Sequence, residues 1–326
     1  MADNNNIAIE KRSPILPNSK THKKRKKSDR NQTGILHLMM LPAVVLLFIY
    51  AYVPMFGILI AFEKFDITKG VIGFFTSKWV GMANFIRIFN MDGFKQALFN
   101  TINIAWWKMV AMFFVPLIAS LLLNEIRQEG YKRSIQTIIY LPHFLSWVIL
   151  AGILKNVLDL DGILNNTLHS LFGIKPIMFL GEPKIFPSVL VWTQVWQEFG
   201  WSTIIFLAAI TGIDPALYEA AIVDGANRLQ QTWHVTLPGM RSILVLCAVL
   251  SLGGILNAGF DQVFNLYSVP VYKTGDIIDT LVYRTGIANG QFEIATAVGL
   301  FKSVVSLIMV SLSYFLAYKL ADYQIF

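Results

Sequence analysis

Six apolar runs, each of a length to cross a bilayer as a helix, alternate with polar stretches along the chain. They fall at about 35–62, 98–123, 134–158, 187–211, 242–260 and 295–320. At 1.5 Å rise per residue the first run reaches roughly 42 Å, against about 30 Å of hydrocarbon. In lipid, helices satisfy their own backbone polar groups. The pattern therefore predicts an all-α integral membrane protein with six transmembrane helices. Pro42, Pro54, Pro116 and Pro142 lie inside runs and predict kinks that neighbouring helices repair. The fifth run is the shortest and holds Gly253, Gly254 and Gly259.

Two stretches between runs carry a pattern of their own. From Trp79 to Ala105 the chain is amphipathic, with Phe85, Ile88 and Phe89 on one helical face. Trp79, Trp106 and Trp107 suit an interfacial belt. This predicts a surface helix that leads into the second span. The second stretch, "IDPALYEAAIVDGANRLQQTWHVTLPGM", is a polar island from Ile213 to Met240. Asp214-Pro215 reads as a helix start, a capping carboxylate followed by proline at the first helical position. Ala216, Glu219, Ala220, Ala221 and Ala226 form a slim rod that Gly225 can end in a left-handed cap. A second short helix is expected around Asn227 to Trp233, after which "TLPGM" leads into the fifth span. Such a rod can enter a groove on a partner, with Glu219 making a charge-assisted contact there. It can equally pack on its own bundle.

Charge sets the orientation. Nine Lys/Arg fall in the first 30 residues, in an arm (1–33) read as disordered. That arm anchors topology and meets anionic lipid. The stretch from Asn124 to Arg133 adds Arg127, Lys132 and Arg133. Five Lys/Arg between residues 63 and 97 are spread over 35 residues. This balance predicts both termini inside, with residues 34–326 as the transmembrane domain and 212–241 as a cytoplasmic loop. The rest of the chain is near neutral, which argues against nucleic acid as a partner.

Chemistry within the chain is hard to find. The one cysteine, Cys247, and five scattered histidines give no metal-ligand spacing. No phosphate-binding Gly-x-x-x-x-Gly-Lys-[Ser/Thr] loop occurs, and no catalytic pair or triad is evident. Asp159 and Asp161, beside Gly162, read as a structural turn. Ionisable groups inside spans cost roughly 2.5–3.5 kcal/mol each on insertion scales, so they should face a wet cavity or one another. Glu198 in the fourth span and Lys302 in the sixth are such groups. Trp192, Gln194, Trp196, Gln197 and Trp201 combine planar polar groups with aromatic faces, a mixture that suits a sugar. Trp192, Gln194, Trp196, Gln197 and Glu198, with Asn257 and Asp261, are the seven candidates for a substrate path. The competing reading pairs Glu198 with Lys302 and packs the tryptophans against neighbours.

The island also carries a specific spacing. Glu219-Ala220-Ala221, three residues, Gly225, nine residues, then Val235-Thr236-Leu237-Pro238 fits the EAA motif. The chain thereby resembles the permease subunits of type I, binding-protein-dependent ABC importers. "MANFIRIF…FKQALFNT" and "LPHFLSWVILAGI" are similar to sugar-importer permeases. "GFDQVFNLYSVPVYKTGDIIDTLVYR" and "ATAVGLFKS" are similar to the group that takes up polysaccharide-derived oligosaccharides. The resemblance implies a bacterial cytoplasmic-membrane permease that is not itself an enzyme. It implies a second permease subunit, two ABC ATPase subunits that hold ATP and Mg²⁺, and an extracytoplasmic solute-binding protein. The coupling residues it implies are Tyr218, Glu219, Ala220, Ala221, Asp224, Gly225, Leu237 and Pro238. A secondary transporter or channel using Glu198 would leave the EAA spacing unexplained. A membrane glycan enzyme would need an acidic metal-binding pair in a loop. An ABC importer for a non-sugar solute fits the motif but not the narrower likeness.

Overall fold

A computed structural model describes residues 25–321, which divide after Phe56 into two compact units. The first unit is helical from its first described residue: α1 spans Arg25–Leu47. The expected arm boundary at residue 33 thus lies within a helix, and residues 1–24 lie outside the described residues. From Ile35 to Phe56 the large apolar side chains are exposed. Over Phe48–Tyr52 the helix widens, and the Val53 N–H bonds the Phe48 carbonyl five residues back. Pro54 explains this, because it has no N–H for the Tyr50 carbonyl and its ring pushes that carbonyl aside.

The second unit begins in the tightly wound segment Val53–Phe62, where Ala61 is fully buried. Two short antiparallel strands follow, β1 (Glu63–Lys64) and β2 (Lys78–Trp79), with Glu63 opposite Trp79. The buried Asn84 amide ties them to the next helix by donating to the carbonyls of Ala61 (3.0 Å) and Glu63 (2.9 Å). That helix, α2 (Ala83–Phe89), buries Ile88 with Phe94, Ala97, Ile278 and Ile294, while Phe85 packs against the same cluster. Phe89 stays half exposed and meets Phe94 and Phe301 edge-on at 5.6 Å. The amphipathic stretch is therefore one short helix, separated by the Gly93 turn (φ +85°) from the long α3, Phe94–Glu125.

Helix α3 packs along α7 (Phe186–Thr211). Between them lie α4 (Glu129–Tyr140), α5 (Trp147–Val157) and α6 (Ile163–Phe172). The third run was expected to be one span over 134–158. It is instead two segments, Glu129–Phe144 and Trp147–Val157, bent by 106°. Leu145 and Ser146 are extended, and the Ser146 hydroxyl caps the new helix at the Ile149 N–H. Gly200 of α7 lets α4 approach closely, since a Cβ there would sit 2.1 Å from the Ile139 carbonyl oxygen. The Asp159 region is the turn the sequence predicts. Buried Asn165 donates to the carbonyls of Asp159 (2.8 Å) and Ile177 (2.9 Å).

After α7 come α8 (Pro215–Val223), α9 (Arg228–Gly239) and α10 (Arg241–Leu252). The fifth run was expected to continue to residue 260 as one helix. It leaves helix after Leu252, turns through the glycines, and resumes as α11, Phe260–Leu266. Gly259 between them has φ +86°. Helices α12 (Ile278–Val282) and α13 (Phe292–Ala321) complete the unit. Among the described residues, three segments are long and apolar enough to cross a membrane: Gly34–Phe62, Phe94–Glu125 and Phe292–Phe315. The count rises to six when each of three bent helix pairs serves as one span.

Candidate functional site: an exposed helix and a buried polar centre

The polar island folds as two capped helices. Asp214 accepts the Ala216 N–H at 2.9 Å, and Pro215 occupies the first turn of α8. Gly225 adopts φ +80°, and the Ala226 N–H reaches back to the Ala221 carbonyl at 2.9 Å. That six-to-one bond, with Gly in the left-handed region, is the glycine-dependent helix ending expected. Asn227 and Gln230 form a reciprocal capping box at 2.9 and 2.7 Å. Helix α9 runs further than expected, to Gly239. It widens at Thr232–Thr236, where the Leu237 N–H bonds the Thr232 carbonyl. Pro238 follows and cannot donate to His234, the same cause as at Pro54.

The predicted coupling residues divide by exposure. Tyr218 and Leu237 pack against the buried cluster of Leu117, Phe206, Ile210, Ile213 and Met240. The Tyr218 hydroxyl lies 3.0 Å from Thr236 Oγ1. Glu219, Ala220, Asp224, Gly225 and Pro238 are exposed, and Ala221 is half-buried. Ala220, Ala221, Asp224 and Gly225 line a hollow of about 450 Å³ shared with Gln230, His234 and Val235. On its other flank, Glu219 and Ile222 line a second hollow of about 470 Å³. Helix α8 is therefore held along one side and bare along the other.

The second polar site lies among the apolar helices. Lys108, midway along α3, is 7% exposed. Its ammonium donates to the Ala258 carbonyl at 2.6 Å and to Gln262 Oε1. The Gln262 amide in turn donates to the Leu190 carbonyl (2.8 Å) and to Thr193 Oγ1 (2.7 Å). One chain of hydrogen bonds thus joins α3, α11 and α7. Beside it is a cavity of about 260 Å³ lined by Lys108, Met109, Met112, Gln194, Asn257 and Gly259, among others.

The seven path candidates separate. Gln194 and Asn257 line that cavity with Lys108. Trp192 is 61% exposed and lines an apolar groove with Trp107 and Phe114. Trp196 is also exposed. Asp261 is exposed, in the first turn of α11 and not toward the outer end of a continuous fifth span. Gln197 is buried and donates to the Leu145 carbonyl at 3.1 Å, while its Oε1 has no partner among the described residues. Glu198 lies 2.7 Å from His143 Nδ1, and that imidazole stacks on Trp201 at 4.6 Å. The alternative Glu198–Lys302 pair does not form. Lys302 bonds both carboxylate oxygens of Asp279, at 2.7 and 2.8 Å. Lys108 escaped the sequence reading, although a lone cation inside an apolar run was signal enough to find it.

Comparison with known proteins supplies the context. The family model described as binding-protein-dependent transport system inner membrane component matches residues 112–322. The polygalacturonan/rhamnogalacturonan transport system permease protein YteP of Bacillus subtilis is 43% identical over 90% of this chain and 91% of its own length. Protein LplB of the same organism is 41% identical over 87% of this chain and 88% of its own. A crystal structure of a bacterial ABC transporter that imports the acidic polysaccharide alginate contains a similar chain. It has a TM-score of 0.82 at 34% identity, covering 91% of this chain and 99% of that one. A second such structure, in complex with an alginate pentasaccharide-bound periplasmic protein, gives 0.82 at 33% identity, covering 93% and 100%.

Proposed function

The chain belongs to the family of binding-protein-dependent transport system inner membrane components, and we propose that it imports oligosaccharides released from a polysaccharide. It is a multi-pass membrane permease, a transport subunit and not an enzyme. In our reading six spans cross the cytoplasmic membrane with both termini inside, three of them as bent pairs. Helix α8 is the coupling helix. It docks on a separate ABC ATPase, which holds ATP and Mg²⁺. A second permease subunit, a second ATPase subunit and an extracytoplasmic binding protein complete the importer.

The observation that carries this reading is the bare side of α8. A capped helix presenting Glu219, Ala220 and Asp224 beside a 450 Å³ hollow, and anchored behind by Tyr218 and Leu237, fits a groove on a partner. Small side chains let the partner approach, and Glu219 offers a charge-assisted contact. The similarity to a polygalacturonan/rhamnogalacturonan transport system permease and to a chain of an alginate ABC transporter supports an oligosaccharide cargo. ATP-driven closure of the ATPase pair moves α8, and the spans then expose the path to alternate sides. The test is ATP-dependent uptake of labelled oligosaccharide by vesicles holding the whole importer. Glu219→Lys should leave the complex's ATP hydrolysis no longer stimulated by loaded binding protein. Undiminished stimulation would refute the docking role of α8.

A further inference from the structure

We infer that Lys108 makes the translocation path favour cargo bearing a carboxylate, that is, oligosaccharides of uronic acids. This deepens the proposed function and rests on it. Lys108 stands fourteen residues from the start of α3 and seventeen from its end, by subtraction from Phe94 and Glu125. An ammonium at that depth is costly unless something compensates it.

The compensation within the described residues is incomplete. The two hydrogen bonds of Lys108 go to neutral acceptors, a carbonyl and an amide oxygen. The ion pairs of lysine and arginine among the described residues are Lys69–Asp66, Arg228–Glu125, Arg284–Asp276 and Lys302–Asp279, and Lys108 is in none of them. Lys302 makes the contrast plain, because an ammonium whose task is structural sits against a carboxylate of its own chain. Among the described residues no carboxylate pairs with Lys108.

The surroundings of that charge are built for a visitor. An ammonium has three donors, and two are engaged. Gly259 leaves the space beside the nitrogen open: a Cβ there would lie 3.2 Å from Lys108 Nζ and 3.6 Å from Gln194 Oε1. The cavity walls offer the amides of Gln194 and Asn257 for hydroxyl groups and Met109 and Met112 for apolar ring edges. Among the described residues no carboxylate lines the cavity. A carboxylate on the cargo would supply the missing charge through a charge-assisted hydrogen bond. The volume, about 260 Å³, falls below the roughly 300–1,000 Å³ of whole small-molecule sites. It suits one charged unit of a longer chain.

A purely structural Lys108 would brace Ala258 and Gln262 and nothing more, and binding by charge class separates the two roles. The complete permease–ATPase complex is reconstituted without binding protein and titrated with trigalacturonate and with its methyl ester. The wild type should bind the acid roughly tenfold or more tighter than the ester. Lys108→Met should remove that preference, and Lys108→Arg should keep it. Lys108→Gln, which retains a donor for Ala258, replaces the Met variant if that one does not assemble. A wild type without preference, or a Lys108→Met or Lys108→Gln complex that retains it, overturns the inference. A wild type that binds neither form sinks the oligosaccharide reading itself.

Discussion

The α8–α9 segment and the Lys108 centre are both polar, yet they are held together in opposite ways. In the exposed segment the bonds that shape the helices are local. Asp214 reaches two residues, and Asn227 and Gln230 reach three. In the buried centre the bonds span 150 and 154 residues from Lys108, and 72 and 69 from Gln262. A locally capped helix keeps its shape when neighbours move. A network assembled from three distant segments exists only while those segments stay packed. The first arrangement suits a surface that must meet a partner, and the second suits a place where helices must register.

The sharpest test of that contrast is Gln262→Leu. It strips the Lys108 ammonium of an acceptor and leaves the Thr193 hydroxyl and the Leu190 carbonyl without their donor. The expected loss is about 3 kcal/mol, read as a lowered thermal unfolding midpoint of the purified complex. Adding Lys108→Met should recover a good part of the loss, because removing both partners costs less than stranding one. If the double variant is no more stable than Gln262→Leu alone, the network account is wrong.

On the exposed side, Gly225→Lys meets no steric obstacle, since nothing lies within 4 Å of the added Cβ. Its cost is conformational, about 1–2 kcal/mol for a side chain in the left-handed region. The larger consequence should be functional, with ATP hydrolysis in vesicles uncoupled from uptake. Normal coupling in that variant would detach the glycine turn from the proposed role. Asn227→Ala removes the capping box and should cost about 1 kcal/mol, with far-ultraviolet circular dichroism almost unchanged. Smallest of all is Arg228→Gln. The Arg228–Glu125 pair is 3.9 Å apart and largely exposed, so its loss should shift stability by less than about 0.5 kcal/mol. A larger shift would mean that the segment depends on long-range contacts after all.

The same contrast explains what could be read before the structure. Asp214-Pro215, Gly225 and the EAA spacing sit within a few residues of what they control, so the two capped helices were visible. Pro142 announced a kink, but not the 106° bend that follows it. Five of the seven path candidates were grouped by nearness in sequence, and packing sent Trp192, Gln194 and Glu198 of one helix to different neighbours. Pairing Glu198 with Lys302 was reasonable by charge alone. Each found a partner, His143 or Asp279, that no periodicity could nominate.

The elbow between α7 and α8 has a mechanical meaning. Only residues 212–214 separate the two helices, whose axes differ by 69°. A force along the α8 axis therefore arrives at the end of α7 mostly across its axis, as a torque and not as a thrust. A 26-residue rod is about 39 Å long, so a tilt of ~10° would sweep its far end through about 7 Å. Thr193 and Gln194 ride near that far end. A nudge at the exposed helix would thus be felt as leverage at the buried one, with the bend serving as a crank.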